Sequence, residues 1–180
     1  ASGALAALTA RLDIAAGRLA PSAGAPPIPF DRAALALRFD PATARIDLTE
    51  VAVESRSLRM QAKGVAHLEA DGAPLSAGRL PDAVVSQISF AQVKIDPEGL
   101  FAEPVVFSTG ALDARLGLRP FRLEIGQLAL VENDERLLLS GEVTAADGGW
   151  TGGLNVELDR IDTDRLLKIW PVSVVPKTRT

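Results

Sequence analysis

The sequence predicts an all-β protein, mostly antiparallel, shaped as an elongated curved sheet or β-groove with duplicated strand units and one short C-terminal helix. Three observations lead there. Apolar and polar side chains alternate along most of the 180 residues, which is the period of a strand with one greasy and one wet face. Turn-rich stretches such as "DPAT" (40–43), "DPEGLFAEP" (96–104) and "VENDE" (131–135) interrupt that alternation. A pattern of about ten residues also recurs at a fixed offset along the chain.

The elements follow in order. In residues 8–14, Leu8, Ala10, Leu12 and Ile14 take one face while Thr9, Arg11 and Asp13 take the other. "AAGRLA" (15–20) turns the chain. Residues 21–31, "PSAGAPPIPFD", hold four prolines that lack the ladder's N–H donor, so they read as an extended connector. Leu35, Leu37 and Phe39 alternate up to "DPAT", where Pro41 suits the second position of a turn. Ile46 and Leu48, then Val51 and Val53, then Leu58, Met60 and Ala62 continue the strands, and "EADGAPLSAGRLPD" (69–82) is a loop. Ile88 and Phe90 share one parity and Val93 and Ile95 the other, which predicts a bulge near Ala91. Leu112, Ala114, Leu116 and Leu118 open the long alternating stretch that runs to Asp159, with "VENDE" as a hairpin tip. "DTDRLLKIWP" (162–171) departs from it. Leu166, Leu167 and Trp170 share a helix face, Asp162 or Thr163 can cap its start and Pro171 ends it, predicting a helix near 163–170.

The recurring pattern pairs "ARIDLTEVAV" (44–53) with "FRLEIGQLAL" (121–130). Arg45 meets Arg122, Asp47 meets Glu124, Leu48 meets Ile125 and Val51 meets Leu128 at a shift of 77, since 122 − 45 = 77. The match continues without a gap to Gly64 and Gly141. Quasi-repeats are therefore expected over 35–72 and 116–149, inside a single β-rich domain that spans 1–180. In both copies the apolar spacing widens to three, from Leu48 to Val51 and from Ile125 to Leu128. A step of three turns the apolar side over unless the backbone bulges or bends there. Units of this kind stack into elongated shapes, and periodicity leaves open whether the apolar faces close on each other or wrap a ligand.

Composition narrows the function. Net charge is −4 and the arginines stand singly, which argues against a nucleic-acid partner. Six Phe, two Trp and no Tyr leave Leu, Val, Ile and Ala to form any apolar surface. Zero cysteine removes disulfides, thiolate metal sites and a thiol nucleophile, and suits cytoplasm or periplasm equally. No run approaches the ~20 apolar residues of a membrane-spanning helix. Neither is there a secretory signal, and the start at Ala1 and close on "PKTRT" suggest a piece of a larger protein.

Reactive groups are scarce. His67 is the sole histidine and is read as a strand residue on a polar or edge position. No serine sits in a G-x-S-x-G elbow. Asp159, Asp162 and Asp164 lack the central Gly and closing Glu of a calcium loop, and are read as helix-start acids. "DGGWTGG" (147–153) precedes a strand, not a helix, and so is no phosphate loop. Trp150 is assigned to packing and Trp170 to fastening the short helix to the sheet. No catalytic residue, metal or cofactor is expected, and the protein is not expected to be an enzyme.

The stretch "SGEVTAADGGWTGGLNVELDRIDTDRLLKIWPVSVVPKTR" (140–179) resembles the end of the conserved domain of YhdP-like proteins, in the wider AsmA-like group related to TamB. The matching residues are Gly141, Asp162, Leu166, Trp170, Pro171, Pro176 and Arg179, and "ALALRFDPATARIDLTEVAVES" (34–55) resembles the family's middle. The resemblance implies a Gram-negative envelope protein, anchored in the inner membrane through a segment this sequence lacks, with a long periplasmic β-rich part. It also implies similarity to bridge-like lipid-transfer proteins. The expected function is then a segment of an apolar groove moving phospholipid between inner and outer membranes. On that reading the acyl-lining candidates are Leu35, Leu37, Ile46, Leu48, Val51 and Val53 in the first copy. Those in the second are Leu116, Leu118, Leu123, Ile125, Leu128, Leu130, Leu137 and Leu139. The alternative is a structural module of the cell envelope that binds a protein partner through exposed strand edges.

Overall fold

The computed structural model describes residues 6–20, 27–70, 81–96, 101, 103–146 and 149–160. These residues are all-β, with no helix among them. The strands are β1 (Leu8–Ile14), β2 (Gly17–Leu19), β3 (Ile28–Phe30), β4 (Arg32–Asp40), β5 (Arg45–Glu54) and β6 (Leu58–Glu69). After them come β7 (Ala83–Ile95), β8 (Val105–Phe107), β9 (Thr109–Leu118), β10 (Phe121–Glu132), β11 (Glu135–Ala146) and β12 (Gly149–Asp159).

Nine strands form one antiparallel path in the order β1-β4-β5-β6-β7-β9-β10-β11-β12, and β8 pairs with β7 beside it. Along the path from β4, neighbours are consecutive in the chain except where β7 meets β9, and short turns join β4 to β5, β5 to β6, β9 to β10 and β10 to β11. At the β4–β5 turn Asp40 accepts hydrogen bonds from the Ala42 N–H at 2.9 Å and the Thr43 hydroxyl at 2.8 Å. That local capping is why Asp-Pro works there. The tip between β10 and β11 uses Asn133 at a φ of 53°, a left-handed conformation that Asn tolerates better than most residues. β8 and β9 run in line along β7: Phe107 pairs with Val93 and Gly110 with Phe90.

The three bulges read from apolar spacing are present. On β5, Leu48 pairs with Gly64 but Val51 with Ala62, so three steps on one strand face two on the other. On β10, Ile125 pairs with Gly141 and Leu128 with Leu139. Adding 77 to each residue of the β5–β6 pairs gives the β10–β11 pairs, so the two hairpins share one register. On β7 the irregularity falls at Ala91, between Phe90 opposite Ala62 and Gln92 opposite Gln61.

Other expectations need correction or lie elsewhere. Part of the Pro-rich connector is strand, since Ile28–Phe30 pairs with Gly17–Leu19, and those same residues 17–19 had been assigned to the turn "AAGRLA". Pro29 is tolerated opposite Arg18 because a two-stranded ribbon has two outer edges, where a missing donor costs nothing. The remainder of the connector (21–26), the 163–170 helix and Trp170 lie outside the described residues.

No second sheet packs on this one among the described residues. The elements in substantial contact are ladder neighbours, plus β8 against β10. Packing is thickest at one end of the sheet, where Val93, Val105, Phe107 and Leu130 are buried and Met60, Phe90, Phe101 and Leu137 lie against them. Among the described residues no large side chain is fully enclosed, as expected where an apolar side chain has neighbours beside it but none above.

Glycine lets the next strand close on each bulged hairpin. A Cβ on Gly64 would run into the Gln87 carbonyl oxygen, and one on Gly141 into that of Gly153, with Gly141 also at a φ of 134°. Gly153 itself opens onto free space. Gly64→Ala and Gly141→Ala should each cost roughly 1–3 kcal/mol through forced backbone shifts. Gly153→Ala should be neutral or stabilising by up to ~1 kcal/mol. Urea unfolding of the three variants checks the contrast. In the same assay Leu130→Ala, 3% exposed, should lose about 2–5 kcal/mol.

Candidate functional site

Residues directly opposite in a ladder point to the same side, so the registers assign every strand residue to a face. One row of opposed residues runs Leu12, Leu35, Val51, Ala62, Phe90, Gly110, Leu130, Leu137, Leu158, crossing all nine strands without a polar side chain. The next row, from Ala10 through Leu48, Gly64, Ile88 and Leu128 to Val156, is equally apolar. A third, from Leu8 to Leu154, contains one polar residue, Ser86. At ~4.8 Å between strands, the apolar face extends about 38 Å across the sheet.

All fourteen lining candidates fall on this face: Leu35 and Leu37 on β4, and Ile46, Leu48, Val51 and Val53 on β5. The others are Leu116 and Leu118 on β9, Leu123, Ile125, Leu128 and Leu130 on β10, and Leu137 and Leu139 on β11. Leu130 is buried and the other thirteen are half-buried. Sequence reasoning omitted the strands that join the two copies. Met60, Ala62 and Ala66 on β6 and Ile88, Phe90 and Val93 on β7 occupy the middle of the same face. Their alternation was legible, but nothing in it said that β7 would join β6 of the first copy to β9 of the second.

The face changes character at its ends. Phe121 and Trp150 meet edge to face at one end, with ring centroids 6.1 Å apart and planes at 78°. That contact is the packing expected of Trp150, although the indole remains 36% exposed. At the other end Glu132 stands opposite Glu135, just beyond Leu130 and Leu137, and the Glu132 Oε2 atom is buried without a hydrogen-bond partner. The edge strands present the most open apolar residues: Leu8 and Leu12 on β1, Leu154 and Val156 on β12.

The opposite face carries the charge. Arg115 reaches Glu69 at 3.0 Å diagonally across β7, where the fully buried Ala83 lies opposite Glu69 and Val85 lies opposite Arg115. Arg115 also approaches Glu124 at 3.8 Å, and Arg122 joins Glu124 at 3.2 Å and Glu142. The Arg–acid pairs shared by the two repeats are both ion pairs, Arg45 with Asp47 at 2.8 Å and Arg122 with Glu124. Arg11 donates to Asp13 at 2.9 Å and to Glu50 at 2.8 Å; the hydrogen bond accepted by Asp13, then the charge of Asp13, then Glu50, raise the Arg11 pKa. A guanidinium whose pKa rises stays charged through the whole physiological range, so this pair adds no pH switch. His67 stands exposed on this charged face, between Arg45 and Val85. Among the described residues no group of three or more His, Asp or Glu could hold a metal ion. Asp159 is an exposed β12 terminus, while Asp162 and Asp164 lie outside the described residues. A shallow depression of about 380 Å³ also lies where β5 and β7 bulge on either side of β6, lined by Thr49, Glu50, Gln61, Lys63 and Ser89 among others.

Comparison with family models, with curated proteins and with solved structures finds no match to the chain. The geometry therefore stands alone: one wide apolar face backed by a lattice of exposed ion pairs. Exposed pairs contribute roughly 0–1 kcal/mol each and weaken with salt. Arg115→Ala, which touches two acids, should thus cost no more than about 1 kcal/mol in low salt and less in 0.5 M NaCl, read by urea unfolding at the two ionic strengths.

Proposed function

We propose that this chain is a segment of a periplasmic lipid conduit, binding phospholipid acyl chains along its apolar face without any catalytic step. One observation carries the reading: apolar rows continue through nine strands with no covering layer among the described residues. Soluble monomers seldom leave such a surface open, because burying it gains about 25 cal/mol per Å². An acyl chain supplies that burial at roughly 0.8 kcal/mol per methylene removed from water. A dozen methylenes half-covered on an open face then contribute about 5 kcal/mol, enough to hold a lipid and weak enough to let it move on.

The bulges on β5, β7 and β10 support a curved, groove-like form, since a bulged strand bends and twists more strongly than a regular one. The resemblance to YhdP-like proteins points the same way. It brings with it an inner-membrane anchor elsewhere in a longer protein, a periplasmic location, and transport between inner and outer membranes. Burial of hydrocarbon is indifferent to the headgroup, so little headgroup selectivity is expected. The alternative, an envelope interaction module, is favoured by the two sheet edges, β1 and β12, that no strand covers among the described residues.

Native mass spectrometry of the freshly purified chain, after expression in a Gram-negative host, is expected to show bound phospholipid. Leu12→Asp combined with Val156→Asp alters two exposed positions at opposite edges of the face, 51% and 55% accessible, so the fold should persist by far-UV circular dichroism. Lipid recovery should fall at least several-fold. Equal recovery from wild type and variant would refute acyl binding on this face, and a lipid-free chain that captures a defined envelope protein would favour the interaction module.

A further inference from the structure

We propose that two copies of this chain join through β12, edge to edge about a two-fold axis at Leu154, to make one continuous sheet with eighteen strands along its path. This goes beyond lipid binding and does not depend on it. β12 ends the sheet with no strand paired to its outer side among the described residues. It pairs with β11 over eleven successive residues without a register shift, so its outer row of backbone groups is straight and regular. Proteins usually blunt such an edge with Pro, Lys or a bulge. "GWTGGLNVELD" contains none of the three.

The side chains select the partner. Leu154 is the midpoint of Gly149–Asp159, so antiparallel pairing of β12 with its own copy can use all eleven residues. Directly opposed residues point to the same side, so an even register keeps both apolar faces together, and an odd one would set them on opposite sides. In the full-length register Trp150 opposes Leu158, Gly152 opposes Val156, and Leu154 meets its own copy. Both acids face neutral residues, Glu157 opposite Thr151 and Asp159 opposite Gly149. The other edge is charged against the same arrangement. The midpoint of β1 is Arg11, and symmetric pairing there would set two arginines face to face, a destabilising like-charge pair. Association through β12 alone closes at two copies, as a two-fold contact must.

The chain has no cysteine, which permits a clean cross-linking test. Opposed residues of an antiparallel pair have Cα atoms ~4.5–5.5 Å apart, within the span of a disulfide. Light scattering on the purified chain is expected to give the mass of a dimer. Leu154→Cys, at a 49% exposed position, should form a covalent homodimer under mild oxidation. Thr151→Cys and Glu157→Cys should each remain uncross-linked alone and cross-link when mixed. Leu154→Lys, which sets two ammonium groups at the axis, should give a monomer with an unchanged circular dichroism spectrum. A wild-type chain that stays monomeric at several hundred micromolar overturns the proposal. So do species that grow beyond two copies, the mark of β12 pairing with β1, and so does cross-linking of Thr151→Cys on its own.

Discussion

Side-chain parity across the ladder is the constraint on which everything else in this molecule depends. Every opposed pair must keep apolar with apolar, and the sequence breaks period two at Leu48–Val51, at Phe90–Val93 and at Ile125–Leu128. Each break would turn the rest of its strand over. A bulge at each one absorbs the extra residue, and the apolar rows pass through uninterrupted. Gly64 and Gly141 stand opposite the start of two of those bulges and let the next strand, β7 or β12, lie close, because a side chain there would collide with that strand's carbonyl.

That constraint separates the two faces chemically and divides their roles. On the charged side, arginines and acids of adjacent and next-but-one strands form ion pairs that are individually weak and exposed. Their use is to keep that side in water and to discourage slips that would bring like charges together. On the apolar side, rows of Leu, Val, Ile, Ala and Phe lie mostly half-covered by their neighbours, with the main buried cluster around Phe107 and Leu130. A surface of this kind gives hydrocarbon a place to lie without any directional recognition. That is why the proposed lipid-binding role requires no catalytic constellation and no metal.

The edges pose a separate physical problem. An open sheet leaves backbone donors and acceptors unsatisfied by protein along its first and last strands. β1 is short and carries Arg11 at its centre, held by Asp13 and Glu50. β12 is longer, regular and neutral at its centre. The two edges of one sheet therefore differ in what they can accept, and self-pairing suits one of them only.

The sequence by itself determined most of the strands, the bulges and the sidedness. Alternation is a local property, and so is the step of three at Leu48–Val51 or Ala91's parity switch; each follows from the period of the pleat alone. It also determined the like register of the two hairpins, because the repeated residues carry the same apolar spacing and the same glycine. The tertiary structure decided how the copies are joined. β6 and β7 pair through Ala62 with Phe90 and Gly64 with Ile88, which merges two local patterns into one face. Tertiary pairing also recruited β1 beside β4 and drew Ile28–Phe30 into a ribbon despite its proline. Such pairings join segments far apart in the chain, and no local periodicity encodes which strand will lie beside which.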